Sequence, residues 1–361
     1  MSIREDEMAS NSTASNSTAF STITTTYYLY WKEFVWTAYV LLPSWPAIIF
    51  FGILANLTNI SVFLKTGVTD NVTTLLLSLS VSDLLYLVLI SPTACSFIIL
   101  RFARDWHWPF HYQIGVDLLY WPAITCYDCS AFLSVWLGIT RCACVAMPLR
   151  FKSVFTKART VKIVIASFLL AVSLRIPIIS VYRVVWRTNP NTNSSYAYID
   201  KPNREAMTRV NDILNRNSIL YINFIIMITC VSVLSFQLYR AARIRRSFTS
   251  ASAAQQESGK PDNQGLSTRD LHVLQSVIVV CIIFIMSQAP FLMYSTARLI
   301  NKELDIGTRY RSLFSIFTII SLTCSHLNAS VNIFVYYRYN SKFRAQINSM
   351  FKTRETSLKT N

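Results

Sequence analysis

The sequence predicts an all-α membrane protein, a seven-transmembrane helix bundle with a short amphipathic helix after the seventh span. Three observations predict this fold class. Of the 361 residues, 52% are hydrophobic and only 14% are charged, whereas soluble domains carry about 25% charged residues. The apolar residues fall into blocks that are long enough to cross a bilayer as helices. Lysine and arginine cluster beside alternate ends of these blocks, as cytoplasmic segments of membrane proteins do.

Seven apolar blocks are the predicted spans. They cover residues 44–65, 73–100, 113–146, 160–182, 217–240, 271–299 and 311–337. One soluble core could not bury so many blocks of this length, so a large soluble protein is excluded. The chain therefore divides into an N-terminal segment 1–43, a membrane domain 44–340, and an amphipathic helix with a tail at 341–361.

The charge distribution predicts the orientation. The net charge is +16, and most of the excess lies in the segments after the first, third, fifth and seventh spans. Cytoplasmic segments hold such an excess, so the N-terminus is expected outside and the C-terminus inside, in the plasma membrane. The positive charge thus reports topology, and no nucleic-acid partner is expected.

Glycosylation motifs and cysteines agree with that orientation. Sequons occur at Asn11 and Asn16 before the first span and at Asn193 after the fourth, all on the predicted outer side. The eight cysteines lie within or at the ends of the spans, so no disulfide is expected in the outer loops.

Several ionisable side chains lie inside the predicted spans. They include Asp83, Asp128, Arg175 and His326. Such groups are costly in hydrocarbon and usually mark function, although hydrogen bonding between helices is the simpler explanation for single polar residues. Asp128 and Arg175 are expected to pair between the third and fourth spans, with a structural role favoured over ligand contact.

Sequence motifs on five spans, and in the stretch that follows the seventh, resemble those of the rhodopsin-like (class A) G-protein-coupled receptors, over roughly residues 45 to 351. The first three spans carry Gly52-Ile-Leu-Ala-Asn56, Leu79-Ser-Val-Ser-Asp83 and Arg141-Cys-Ala-Cys-Val-Ala-Met-Pro148-Leu149, and the later ones carry Phe284 with Pro290 and the run from His326 to Tyr336. Within that family the pattern is most similar to the molluscan chemosensory-receptor or peptide-receptor-like set. Phe343 opens the basic amphipathic stretch.

The sequence also departs from the family pattern. The acid before the arginine is Thr140, the tyrosine after it is Cys142, the tryptophan before the sixth-span proline is Gln288, and the seventh-span proline is Ile333. The cysteine at the top of the third span, near Val116, and its loop partner are both missing. A disulfide-pinned outer loop is therefore not expected.

The resemblance implies a latch for G-protein coupling, formed by Arg141, Asp270 and Tyr336. In the family, the arginine is held by an acid at the base of the sixth span in the silent state and contacts the G protein in the active state. Counting back from Pro290 places that acid at Asp270. One solvent-exposed ion pair contributes roughly 1 kcal/mol to the stability of the silent state. A ligand can overcome an energy difference of this size by binding the active state more tightly.

The resemblance also implies a polar switch cluster in the membrane core, of Asn56, Asp83, Ser130, Asn328 and Asn332. Its oxygens suit a small hard cation, so a sodium ion at Asp83, Ser130 and Asn328 is one hypothesis. A proton on Asp83 is the other, because it would neutralise the same carboxylate. No resident cofactor is expected.

By the same correspondence, the ligand pocket lies between the outer halves of the third, fifth, sixth and seventh spans. Its expected residues are Ala123, Tyr127, Gln288, Phe291, Tyr294, Ser295 and His326. Ala123 replaces the aspartate of amine receptors, which disfavours a biogenic amine, and the seventh span has no lysine for a retinal Schiff base, so an opsin is not expected. The resemblance to the molluscan set implies a chemosensory small molecule or a neuropeptide as the ligand. Basic outer residues either attract an anionic or peptide ligand or are simply solvated; they are Arg183, Arg187, Lys201, Arg204, Arg209 and Arg216.

The expected partners are thus an extracellular ligand, a heterotrimeric G protein and the lipid bilayer, and no enzymatic activity is expected. A transporter or an intramembrane enzyme is the alternative. Gly-x-Gly-Asp, Gly-x-Ser-Gly and His-Glu-x-x-His strings are missing, which disfavours the enzyme. Only seven glycines and no visible internal repeat disfavour the transporter.

Overall fold

The computed structural model describes residues 34–68, 70–102, 112–188, 195–252, 268–301, 303–304 and 308–359. The three predicted glycosylation sites, Asn11, Asn16 and Asn193, lie outside these residues. Seven of the described helices are long and apolar enough to cross a membrane. The predicted seven-helix membrane bundle is therefore confirmed.

Five of the spans are single helices in the described part of the chain. These are the second (Asn71–Phe102), third (Tyr112–Ala146), fourth (Lys157–Ile179), sixth (Thr268–Ile300) and seventh (Arg311–Tyr339). The first span (Phe34–Thr66) contains a 3₁₀ turn, Leu42–Ser44, before its main α-helix Trp45–Thr66. The fifth span joins an α-helix Arg204–Asn211, a π-helix Asp212–Ile219 and an α-helix Leu220–Ser252. Two further helices are Pro148–Val154 and Ser341–Lys359.

The first and fifth spans start earlier than the sequence predicts. The first begins at Phe34 instead of residue 44, because the apolar run continues upstream through a 3₁₀ turn at Leu42–Ser44 that contains Pro43. The fifth helix was expected from residue 217, but helical structure begins at Arg204. Its early polar residues include Asn211 and Asn215, which are buried and face the bundle instead of solvent.

The bundle is apolar on both its outside and its inside. Outward-facing side chains such as Phe50, Leu169, Phe236 and Met286 are each at least 60% exposed. In water such a belt would be unfavourable, whereas lipid solvates it. The core between the helices is built from buried apolar residues such as Leu79, Leu133, Phe284 and Val335.

A β-hairpin follows the fourth span. Strand β1 (Arg183–Thr188) pairs antiparallel with β2 (Ser195–Asp200), with Arg183 opposite Asp200. The Tyr182 ring at its base contacts Trp121 of the third span at 6.4 Å between centroids. All eight cysteines are described and free, so the hairpin is held without a disulfide, as predicted. We call this side of the bundle the hairpin end and the other side the far end.

At the far end, the helix Ser341–Lys359 turns off the seventh span. Phe343 is 1% exposed and packs with Phe63 of the first span and Tyr336 of the seventh, with ring centroids 5.4 and 5.7 Å away. Ile347, one turn further along, is buried in the same cluster. The predicted helix after the seventh span is confirmed, and its apolar face anchors it to the bundle.

Candidate functional site

A cavity lies between the third to seventh spans in the half of the bundle toward the hairpin end. The empty space within it, its part open to solvent included, amounts to about 810 Å³. Its walls are mostly aromatic and aliphatic, with a few polar and charged groups. The lining residues are Tyr120, Trp121, Ile124, Tyr127, Asp128, Ala131, Phe132, Arg175, Asn215, Arg216, Ile219, Leu220, Asn223, Gln288, Phe291, Tyr294, Thr318, Ser321, Leu322 and Ser325.

Four residues that the sequence suggested for the pocket line this cavity: Tyr127, Gln288, Phe291 and Tyr294. Nε2 of Gln288 donates a hydrogen bond to Oη of Tyr127 at 2.9 Å, which joins the sixth span to the third. The Phe291 and Tyr294 rings lie edge to face, 5.4 Å apart. A ligand in the cavity would therefore contact the two residues whose hydrogen bond joins the sixth span to the third.

The other three suggested pocket residues lie behind the wall. Ala123 is fully buried against the side chains of neighbouring helices. Nδ1 of His326 is 2.9 Å from Oη of Tyr86, and its ring packs against Trp45. Ser295 donates to Oδ1 of Asn217 at 2.7 Å. Their positions along each helix fit the cavity, but their side chains point toward neighbouring helices.

Asp128 and Arg175 form the ion pair that the sequence predicts. Nε of Arg175 donates to Oδ2 of Asp128 at 2.9 Å, and Nη2 donates to the same oxygen. Nη1 donates to Oδ1 of Asn211 at 2.7 Å, and Nδ2 of Asn215 donates to that same oxygen at 3.0 Å. The pair is thus part of a network of the third, fourth and fifth spans, and it also forms part of the cavity wall. Sequence reasoning did not include Asn211 and Asn215 in this network, because asparagines before an apolar block are typical of a solvated loop.

A second group of charged side chains lies where the π-helix Asp212–Ile219 of the fifth span meets the sixth span. Arg298 places Nη1 2.9 Å from Oδ2 of Asp212. Arg216 places Nε 3.4 Å from Oδ1 of the same carboxylate. The guanidinium carbon of Arg216 lies 5.5 Å from the ring centre of Phe291 and 5.9 Å from that of Tyr294. Such π-helical turns recur at functional sites, and this one directs Arg216 to the cavity wall.

The core cluster forms around Asp83, whose side chain is fully buried. Oγ of Ser130 donates to Oδ1 of Asp83 at 2.5 Å, and Nδ2 of Asn332 donates to Oδ2 at 2.9 Å. The cluster therefore ties the second, third and seventh spans together. Asn328 is buried one turn before Asn332.

Asn56 belongs to an adjoining contact and not to the Asp83 hydrogen bonds. Its Nδ2 donates to the backbone oxygens of Ala329 at 2.8 Å and Gly52 at 2.9 Å. A Cβ at Gly52 would collide with the side chains of Ser330 and Leu87. The missing side chain at Gly52 thus allows the seventh span to approach the first closely enough for the Asn56 bond.

At the far end, the structure places only part of the suggested latch. Arg141 is half-buried near the end of the third span. Thr140 is buried and donates to the backbone oxygen of Leu137 at 2.9 Å. Asp270 lies in the sixth helix, but its side chain is outside the described part of the structure. Tyr336 is buried, and its ring packs 5.5 Å from that of Phe63.

Comparison with known families gives a match over most of the chain. Residues 55–336 match the family model described as 7 transmembrane receptor (rhodopsin family). That range begins beside Asn56 and ends at Tyr336, so it contains the core cluster, Arg141 and the whole cavity wall. No curated protein matches the chain.

Proposed function

Because the chain belongs to the rhodopsin family of seven-transmembrane receptors, which signal through G proteins, we propose that an extracellular ligand binds in its cavity. Binding would open the far end of the bundle to a heterotrimeric G protein. The observation that carries this proposal is the cavity between the third to seventh spans, within the matched residues 55–336. A chemosensory small molecule or a neuropeptide is the ligand class that the resemblance to molluscan receptors favours.

The proposed orientation places the hairpin end outside the cell and the helix Ser341–Lys359 inside, in the plasma membrane. The charge asymmetry supports it, since the basic excess lies in the segments beside the far end. The ligand cavity then faces the extracellular side, and Arg141 faces the cytoplasm.

The orientation predicts that Asn11, Asn16 and Asn193 carry glycans. Glycosidase treatment of the protein from mammalian cells should lower its apparent mass, and Asn→Gln changes at these sites should remove that shift. An N-terminal epitope tag should be stained on intact cells. Staining only after permeabilisation would show that the orientation is inverted.

The proposed signal passes along the third, sixth and seventh spans. A ligand that displaces the hydrogen bond between Tyr127 and Gln288 would uncouple the third span from the sixth at the cavity. The Asp83 cluster would respond next, because it links the third span to the seventh. The oxygen atoms of the cluster suit a sodium ion. A proton on Asp83 is the alternative. A ligand shifts such an equilibrium only by its difference in affinity for the two states.

The test uses the full-length receptor in lipid nanodiscs with purified heterotrimeric G proteins of each class. Nucleotide exchange should exceed that of empty nanodiscs and should rise with an activating member of a library of odorants, organic acids and short peptides. Arg141→Ala should abolish the exchange. Arg338→Ala is the control, since it removes an exposed cation from the same end of the bundle. Solute flux without nucleotide exchange would instead support a transporter.

A further inference from the structure

We infer that the ligand of this cavity is uncharged and carries a carboxamide, which pairs with the side-chain amide of Asn223. This inference rests on the proposed function, because it names the class of ligand that the proposed receptor recognises. Neither the family match nor the resemblance specifies the hydrogen-bonding groups of the ligand. The support comes from the paired charges of the wall, the amide of Asn223 and two further neutral polar groups.

The charged side chains of the described wall already lie beside opposite charges of the protein. They are Asp128, Arg175 and Arg216. Arg175 binds Asp128, and Arg216 places Nε 3.4 Å from the carboxylate of Asp212. A charged ligand would have to displace one of these partners or remain without an opposite charge in a largely apolar site, and both are costly. An uncharged ligand incurs neither cost.

Asn223 supplies a neutral polar group that the protein leaves unpaired. It lines the cavity from the fifth span and is 8% exposed. Its side-chain amide forms no hydrogen bond with any residue that the structure describes. Two asparagines earlier on the same span differ, since Nδ2 of Asn215 donates to the backbone oxygen of Leu174 at 2.9 Å and Nδ2 of Asn217 to that of Asp212 at 2.7 Å. A buried amide without a partner is unfavourable, so a ligand that pairs with it is stabilised.

The sixth and seventh spans add two further neutral groups to the wall. Gln288 donates through Nε2 to Tyr127, and its Oε1 accepts no hydrogen bond from the described residues. Oγ of Ser321 is buried and has no hydrogen-bond partner in the described part of the chain. Both Gln288 and Ser321 line the cavity. The ligand therefore meets an amide, a carbonyl oxygen and a hydroxyl on three different helices.

These groups favour a carboxamide over other common polar groups. The amide of Asn223 has N–H donors and a carbonyl acceptor. A carboxamide offers the same two functions in one plane, so the two amides can join through two hydrogen bonds. A carboxylate only accepts and would leave Oδ1 of Asn223 unpaired, whereas an ammonium only donates and would leave Nδ2 unpaired. An ester also lacks a donor. Sites with buried polar groups discriminate strongly against ligands that leave those groups unpaired.

The rest of the wall selects an apolar body behind the amide. Tyr120, Trp121, Phe132 and Leu322 supply aromatic and aliphatic surface. Two sources of ligand share the required chemistry: a small organic amide with an aromatic or aliphatic body, and the amidated C-terminus of a peptide that ends in an apolar residue. The same test distinguishes them.

The test measures binding without a G protein. The full-length receptor in nanodiscs is unfolded by heat in the presence of 3-phenylpropanamide, hexanamide or N-acetyl-Gly-Gly-Phe-amide. Each amide is compared with its carboxylate and its methyl ester, and 3-phenylpropylamine serves as the cation. A ligand that binds only the folded state raises the unfolding temperature. We expect at least one amide to stabilise the receptor at millimolar concentration, and its charged and ester analogues to have much less effect. The amide that responds identifies the source.

Variants then locate the contact. Asn223→Leu removes the amide at nearly constant side-chain volume and should weaken binding of the responding amide roughly 10- to 100-fold, as expected for the loss of two neutral hydrogen bonds. Binding of the ester should not change, so the preference for the amide should disappear. Gln237→Leu removes an amide from the same helix outside the cavity wall and should keep that preference. If Asn223→Leu does not fold, Asn223→Ser decides, because its shorter hydroxyl cannot reach both hydrogen-bonding groups of the ligand amide.

Three results would overturn the inference: no amide stabilises the wild type, a carboxylate or the amine stabilises it as well as the amide does, or the preference for the amide persists in the Asn223 variants. A charged ligand that binds in the cavity and drives nucleotide exchange would also overturn it, but would leave the proposed function intact. An amide that binds through Asn223 without nucleotide exchange by any G protein would contradict the proposed function instead.

Discussion

Asp128 and Asp83 are both carboxylates within the membrane-spanning bundle, and the groups that bind them differ. Asp128 lies in the cavity wall and accepts hydrogen bonds from the guanidinium of Arg175. Asp83 is fully buried and accepts from a hydroxyl and an amide, those of Ser130 and Asn332. Among the described residues, no lysine or arginine forms an ion pair with Asp83. One carboxylate is therefore compensated by the protein, and the other is bound by neutral donors.

The two regions therefore differ in the kind of bond that holds them. The Arg175 network joins three helices by charge-assisted bonds, which are stronger and more directional than neutral ones. On the first and seventh spans, several buried groups have no hydrogen-bond partner among the described residues, including Oδ1 of Asn56, both side-chain polar atoms of Asn59 and Oη of Tyr336. Such groups in a native fold indicate places for water or an ion. The Arg175 network is thus held by charge-assisted bonds, whereas neutral donors alone bind the Asp83 carboxylate.

The largest expected effect is on the Arg175 network. Arg175→Gln should destabilise the folded receptor by about 3–5 kcal/mol, because it leaves the Asp128 charge in the wall without its partner. The measurement is thermal unfolding in nanodiscs, with Arg183→Gln, an exposed arginine of β1, as the control. The double variant Arg175→Gln with Asp128→Asn should recover most of the loss. Equal destabilisation by the single and double variants would show that the charge pair is not what stabilises this region.

The same contrast shows what the sequence could predict. The seven spans could be predicted from hydropathy, and the Asp128–Arg175 pair from the cost of burying a single charge. The π-helical start of the fifth span could not be predicted, because Asn211 and Asn215 are polar enough to suggest a solvated loop. Only the buried guanidinium of Arg175, supplied by another helix, makes them interior residues. Ala123, Ser295 and His326 face neighbouring helices instead of this cavity for a related reason. Position along a helix is readable from sequence, whereas the neighbour that a side chain faces depends on packing.

A smaller effect is expected at Asp83. Asp83→Asn keeps a hydrogen-bond acceptor and removes the negative charge. Because neutral groups bind this carboxylate, the folded receptor should be as stable as the wild type within about 1 kcal/mol. Any sodium dependence of unfolding temperature or of nucleotide exchange should disappear. Asp128→Asn is the matched control, since it makes the same chemical change at the carboxylate that Arg175 compensates. It should be the more destabilising of the two and should leave the sodium dependence unchanged.

The opposite pattern at these two sites would invert the comparison. If Asp83→Asn were the more destabilising variant, Asp83 would have a structural partner comparable to Arg175. If sodium and pH had the same effect on Asp83→Asn as on the wild type, the cluster of Asp83, Ser130 and Asn332 would be a packing contact between helices.

The smallest expected effect is at the far end, where Arg141 follows the neutral Thr140 instead of an acid. The hydroxyl of Thr140 is engaged with its own helix through Leu137, so the adjacent residue supplies no charge to hold the arginine. If Asp270 of the sixth helix is the acid that restrains Arg141, Asp270→Ala should raise basal nucleotide exchange, because the sixth helix could then move outward without first breaking an ion pair. A solvent-exposed ion pair contributes roughly 1 kcal/mol. Because about 1.4 kcal/mol corresponds to a tenfold change in an equilibrium, the increase in basal exchange should be tenfold at most.

Glu257→Ala removes the same charge from the segment before the sixth helix and should leave basal exchange unchanged. Equal basal exchange in both variants and the wild type, at matched receptor density, would show that Asp270 does not restrain Arg141. Arg141 would then be a cation at the membrane edge and a G-protein contact only.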